Sequence, residues 1–189
     1  MTKHLTHTAL YTAIAVVMHY LESLLPALFP FAPGVKLGLA NIVALVALFT
    51  LGTGHAYAIT VVRCLIGSLM SGNLFSIAYS LTGGLVALTG QVILLKTLFP
   101  RVTTVGVSVV GSLLHNCAQL GVASIVVWTN LISYLPLIML TGVFTGVMIG
   151  LTARFTVTAL PNNLFLNSRG QADRENPTNE NKQQDNKEF

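Results

Sequence analysis

Apolar residues run along this chain in long continuous blocks, and short breaks rich in Gly, Pro and Asn separate them. A helix that crosses a bilayer needs about 20 mainly apolar residues, because the hydrocarbon core is about 30 Å thick and each helical residue rises about 1.5 Å. Six blocks meet or approach that length. The pattern predicts helices over residues 6–29, ended by Pro30 and Pro33, and over 35–51, stopped by Gly52 and Gly54. It predicts a third over 55–70, followed by Ser71, Gly72 and Asn73, and a fourth over 74–99, closed by Pro100. The fifth covers 105–127 and the sixth 131–160, which ends at Pro161. Continuous rather than alternating runs favour helices over a barrel, since every backbone group in lipid must be paired within the protein. The fold expected is therefore all-α, an integral membrane bundle of six transmembrane helices spanning residues 1–162.

Composition sharpens this picture. Of 189 residues, 53% are hydrophobic and only 8% charged, against about 25% charged in a soluble domain. Seven charges stand before residue 163: Lys3, Glu22, Lys36, Arg63, Lys96, Arg101 and Arg154. The other nine fall between Arg169 and Glu188, in a stretch of Asn, Gln, Glu and Lys with almost no apolar content. Residues 163–189 bury too little to fold and are expected to form a disordered polar tail. The cations do not make a solvated basic patch, which argues against nucleic-acid binding. Lys3, Lys96, Arg101, Arg154 and the tail cations share one side of a six-span topology, and the other holds only Lys36. Positive charge collects on the cytoplasmic side, so both termini are expected there, in a multi-pass protein of the bacterial cytoplasmic membrane.

Polar residues inside lipid need a reason, because a charge at the bilayer centre costs roughly 2.5–3.5 kcal/mol on insertion scales. Arg63 lies about halfway along the third predicted helix, with Gly67 and Ser71 following at four-residue spacing. It either anchors an anionic or carbonyl-bearing ligand or neutralises Glu22, the single acid of the membrane part. Glu22 lies near the outer end of the first helix, with His19 three residues earlier on the same face. One carboxylate cannot build a Mg²⁺ or Ca²⁺ site, so no metal is expected. On the fifth helix Ser108, Ser112, His115 and Gln119 form a stripe that Asn116 extends. Such residues are common glue between membrane helices, but three large polar groups at one depth point to a pocket. Cys64 and Cys117 are isolated in apolar surroundings and suggest neither zinc nor a disulfide. No Gly-x4-Gly-Lys-Ser/Thr loop is present. His19, His55 and His115 lie at unrelated depths, unlike the ligands of a bis-haem bundle. Small residues recur at four-residue spacing at Ala9 and Ala13 and at Gly142, Gly146 and Gly150, as at many helix contacts.

Four segments carry a resemblance: PGVKLGLANIV from Pro33, the Arg63–Gly72 stretch RCLIGSLMSG, SLTGG from Ser80, and GVSVVGSLLHNCAQL from Gly106. Together they resemble the Gx transporter family, whose members often carry the label heptaprenyl diphosphate synthase component I. That family is similar to the substrate-binding S components of energy-coupling-factor transporters. The resemblance implies an S-component-like bundle that docks on a coupling membrane subunit and its ATPases, with Ala9 and Ala13 matching the contact motif of the first helix. It also implies a ligand site open to the outer side, where Glu22, Lys36 and Asn41 would lie.

Two functions stay open. The first is a non-catalytic binding or transport subunit, with no cofactor, for a small anionic or carbonyl-bearing molecule held by Glu22, Lys36, Asn41, Arg63, His115, Asn116 and Gln119. The second is a non-catalytic membrane component working with a soluble prenyl synthase in isoprenoid or quinone biosynthesis. Prenyl elongation needs Mg²⁺ on clustered aspartates, and the only aspartates here are Asp173 and Asp185 in the tail. An enzyme in its own right is therefore disfavoured.

Overall fold

A computed structural model describes residues 2–24, 38–72, 74–98, 101–128 and 130–160. It contains six α-helices: α1 (Thr2–Leu24), α2 (Asn41–Thr50), α3 (Thr53–Met70), α4 (Leu74–Leu98), α5 (Thr104–Val127) and α6 (Leu135–Ala159). A single 3₁₀ turn, Ile132–Tyr134, leads into α6. Among the described residues there is no strand. Neighbours follow the order α1–α3–α4–α5–α6, and α2 packs against α1, α3, α4 and α6. Eight of the ten α2 residues are buried, so this short helix is the packed interior of the bundle. Its side chains Leu45, Val46 and Leu48 meet Ala15, Ile59, Leu88, Val107 and Ile149 in one apolar core.

Among the described residues three helices are long and apolar enough to cross a membrane: Phe75–Leu98, Thr104–Val127 and Ile132–Ala159. With 23 and 18 residues, α1 and α3 reach about 34 and 27 Å at 1.5 Å per residue. Their lower average hydropathy comes from polar first turns and from polar residues on their inner faces. Helix α1 exposes Leu10, Ile14, Val17, Leu21 and Leu24 while burying His19 and Glu22; α3 exposes Val62, Leu65, Ile66 and Leu69 while burying Arg63 and Ser68. Water would reverse that arrangement, because burying charge and exposing large apolar surface are both unfavourable there. Lipid favours it.

The second element departs from the sequence pattern. A helix over 35–51 was expected, but α2 begins only at Asn41. Residues 35–37 lie outside the described residues, and 38–40 form a turn rather than helix. Gly38 takes φ +79, a left-handed conformation that costs other L-residues roughly 1–2 kcal/mol. At about 15 Å, α2 is half a membrane thick, and its N-terminus therefore ends inside the protein. The predicted tail over 163–189 also lies outside the described residues.

The glycines of α6 face α5. A Cβ on Gly146 or Gly150 would stand 2.6 Å from the Val109 Cα or 2.7 Å from the Val105 Cα. The two backbones touch along this seam.

Candidate functional site

Six side chains and one backbone turn converge on a small cavity lined by His19, Glu22, Gly38, Arg63, Ser80, His115 and Gln119. They come from α1, α3, α4 and α5 and from the turn before α2. Each helix contributes from the half nearest the α1–α2, α3–α4 and α5–α6 connections, so the cavity sits toward one end of the bundle. The opposite end carries Lys96 and Arg101. The open space is about 10 Å³, the room of a single water.

Glu22 and Arg63, left undecided between pairing and ligand binding by the sequence, have different partners. The Glu22 Oε1 accepts hydrogen bonds from the Gly38 amide and, at 3.3 Å, from the Leu39 amide. These donors precede the first turn of α2, whose own bonds close Asn41 N on Gly38 O at 2.8 Å and Ile42 N on Leu39 O at 3.0 Å. These amides precede the N-cap and have no carbonyl of α2 to bond to, and the carboxylate satisfies both inside the bundle. Arg63 donates from Nη2 to the Asn41 Oδ1 at 2.5 Å. Its Nε has no partner among the described residues. A guanidinium that is 3% exposed thus has a neutral amide as its hydrogen-bond acceptor.

His115 is 4% exposed; its ring lies within hydrogen-bonding reach of the Gly83 backbone, and neither ring nitrogen makes a well-aligned hydrogen bond among the described residues. The close approach of two glycines creates its slot. A Cβ on Gly83 would lie 2.9 Å from His115 Nδ1, and one on Gly38 3.3 Å from Nε2. Gln119, one turn on, is buried against the same Gly83. His19 rests on Gly67, where a Cβ would come within 2.5 Å of its ring, and its Nε2 stands 3.5 Å from Ser68 Oγ. Gly67, four residues after Arg63, is therefore the gap that admits His19. The Ser80 hydroxyl is buried without a partner among the described residues, while its carbonyl accepts from Cys64 Sγ at 3.2 Å.

The fifth-helix stripe divides. His115 and Gln119 face α4 and the cavity, whereas Ser108 and Ser112 pack on Gly150 and Gly146 of α6. Asn116 turns to α6 as well: its Nδ2 donates to the Ile138 carbonyl at 3.1 Å and lies against Gly142. One residue along a helix rotates by about 100°, which separates it from its neighbour His115. Asn41 reaches the site through Arg63. Lys36 lies outside the described residues. Ala9 and Ala13 lie on the outward face of α1, away from the cavity.

Sequence reasoning singled out neither Ser80 nor Gly83 as part of a pocket, although both belong to the SLTGG segment. The Gly38 and Leu39 amides were also missed, since backbone donors have no residue signature.

A protein-family model described as heptaprenyl diphosphate synthase component I matches residues 11–156, a span that includes every residue lining the cavity. Neither the curated proteins nor the solved structures contain a match to the chain.

Proposed function

This chain belongs to the heptaprenyl diphosphate synthase component I family, and on that footing we propose that it is a membrane-embedded binding subunit for a small anionic or carbonyl-bearing molecule. The observation that carries the reading is the buried Arg63, whose hydrogen-bond acceptor is the neutral Asn41, whose Nε has no partner among the described residues, and which lines one cavity with His115. Burying a cation costs several kcal/mol unless its charge and hydrogen bonds are met, and the Glu22 carboxylate that shares the cavity is taken up by the Gly38 and Leu39 amides. A ligand acceptor for the Arg63 Nε offsets that cost, and a purely structural guanidinium has no need of an adjoining buried imidazole. With the termini cytoplasmic, as the Lys and Arg distribution suggests, the cavity lies toward the outer side.

Transport would need an energy source from other chains, a coupling membrane subunit with ATPases, docked on the outward face of α1 at Ala9 and Ala13. The test is native mass spectrometry of the protein purified in mild detergent. A bound small molecule in the wild type, lost from Arg63→Gln and His115→Ala with thermal stability kept, supports the reading. Variants that keep the molecule overturn it. A tagged chain that never captures an ATPase or coupling subunit removes the transport part alone.

The family's name favours a second reading, a non-catalytic partner of a soluble heptaprenyl diphosphate synthase. Prenyl-transfer assays with and without this chain decide it: no change in rate or product length rejects the association.

A further inference from the structure

The carboxylate of Glu22 sits where an anion is best received. Its Oε1 accepts from the Gly38 and Leu39 amides, at the start of a helix whose N–H groups and dipole favour negative charge. A helix start alone defines no ligand site. Here two buried side chains that line the same space have bonding capacity left over among the described residues: the Nε of Arg63, and the His115 ring, which nears the Gly83 backbone but makes no well-aligned hydrogen bond. The His115 ring lies against Gly38 itself, with Nε2 3.3 Å from the position of a Cβ there. Amide turn, imidazole and guanidinium converge on about 10 Å³. That admits one water and no organic anion while Glu22 stays in place.

We propose that Glu22 is a built-in stand-in for the ligand's own carboxylate. The Gly38 and Leu39 amides, with Arg63 and His115, form a carboxylate receptor that Glu22 fills in the closed protein. A ligand with a free carboxylate enters by taking the two amides from it. The inference rests on the binding reading above and narrows its ligand class. At the amides the exchange conserves charge and hydrogen bonds, and the displaced Glu22, two residues from the last residue of α1, turns out toward water. A neutral ligand would strip an anion from its donors and return less, which leaves buried groups poorly paired. Glu22 is also tethered, so it competes at an effective concentration that reaches the millimolar range for short tethers. Only a molecule that also engages His115 and Arg63 displaces it, and this is the use of their spare bonding capacity.

Glu22→Ala removes the stand-in and leaves the receptor empty. The probe is sodium acetate at constant ionic strength, compared with acetamide and inorganic phosphate, with thermal unfolding in mild detergent as the readout. Acetate is expected to raise the Glu22→Ala midpoint saturably, by about 5–10 °C near a hundredfold excess over Kd. The wild type should respond far less, acetamide should do nothing, and Glu22→Ala/His115→Ala should lose the response. A purely structural carboxylate would be replaced by acetate equally well with His115 absent, so an undiminished double variant overturns the proposal. So do equal shifts in wild type and Glu22→Ala, or no shift in Glu22→Ala. Phosphate acting as well as acetate overturns the carboxylate assignment. Should Glu22→Ala fail to fold, acetate present during extraction restores folded protein, and no recovery counts against the proposal. If acetate fails while a small molecule still co-purifies with the wild type, the stand-in falls and the binding reading remains.

Discussion

Gly146→Ala probes the seam between α5 and α6 and should destabilise the protein without touching the polar site. The new Cβ would stand 2.6 Å from the Val109 Cα and 3.2 Å from the Ser112 Cβ. Carbon pairs are comfortable at roughly 3.5–4.0 Å, so the helices must part by about 1 Å at this level. The obstructing atom is backbone, which cannot turn aside as a side-chain tip can. Overpacking of this kind costs typically 1–3 kcal/mol, and Ala returns up to about 1 kcal/mol of helix propensity over Gly. A net loss of about 1–2 kcal/mol corresponds to about 2–8 °C in the unfolding midpoint for a chain of this size. The control is Gly121→Ala on α5, where nothing lies within 4 Å of the new Cβ and the midpoint should hold or rise. Adding Gly150→Ala to Gly146→Ala should cost less than the sum of the singles, because helices already parted at one level accommodate the second methyl. Thermal unfolding of all variants in one detergent decides the matter. Gly146→Ala as stable as Gly121→Ala would refute the backbone-contact argument.

Other substitutions separate site from scaffold. Gly83→Ala places a Cβ 2.9 Å from the His115 ring and 3.1 Å from Gln119 Cγ, side chains rather than backbone, so stability should fall by about 0–2 kcal/mol after the helix propensity of Ala is returned while the co-purifying molecule is lost in native mass spectrometry. Asn116→Ala removes the donor to the Ile138 carbonyl, worth about 0.6 kcal/mol between membrane helices; its midpoint should drop slightly with the bound molecule retained, opposite to its neighbour His115→Ala. Gly38→Ala should lose both, since φ +79 costs about 1–2 kcal/mol for alanine and the Cβ would meet Asn41 Nδ2 at 2.7 Å; a wild-type midpoint would show that the left-handed turn is not required.

The helices were legible because lipid imposes a single rule on long apolar blocks. Ends of α3, α4 and α5 follow the sequence pattern to within two residues, where Gly, Ser or Pro interrupts it. The start of α2 did not, because a partner 16 positions away decides it: Glu22 takes the Gly38 and Leu39 amides, and no local periodicity reveals that. Arg63, His115 and Gln119 could be found from the cost of polar groups in lipid. Asn116 shared that cost but not the site, since buried amides also bond between helices. Helix spacing gives a residue's bearing around its own axis, not which neighbour occupies that bearing. Gln91, buried on α4 against Gly111, is another polar residue whose packing place only the fold reveals.

The site exists because a helix stops short. Had 35–51 formed one continuous helix, the amides of Gly38 and Leu39 would bond to carbonyls of that helix and neither would be open to Glu22. Ending the helix at Asn41 brings three groups into reach of one another. Two free amides appear at depth, the Asn41 side chain stands at the helix start where Arg63 can hold it, and Gly38 supplies the surface on which His115 rests. Non-helical backbone at membrane depth is tolerated only where protein or a polar cavity satisfies it, so the break and the carboxylate that covers it require each other. Removing Glu22 and closing the break should then compensate for one another in stability while abolishing binding. That pairing distinguishes a break kept for a ligand from one that is merely endured.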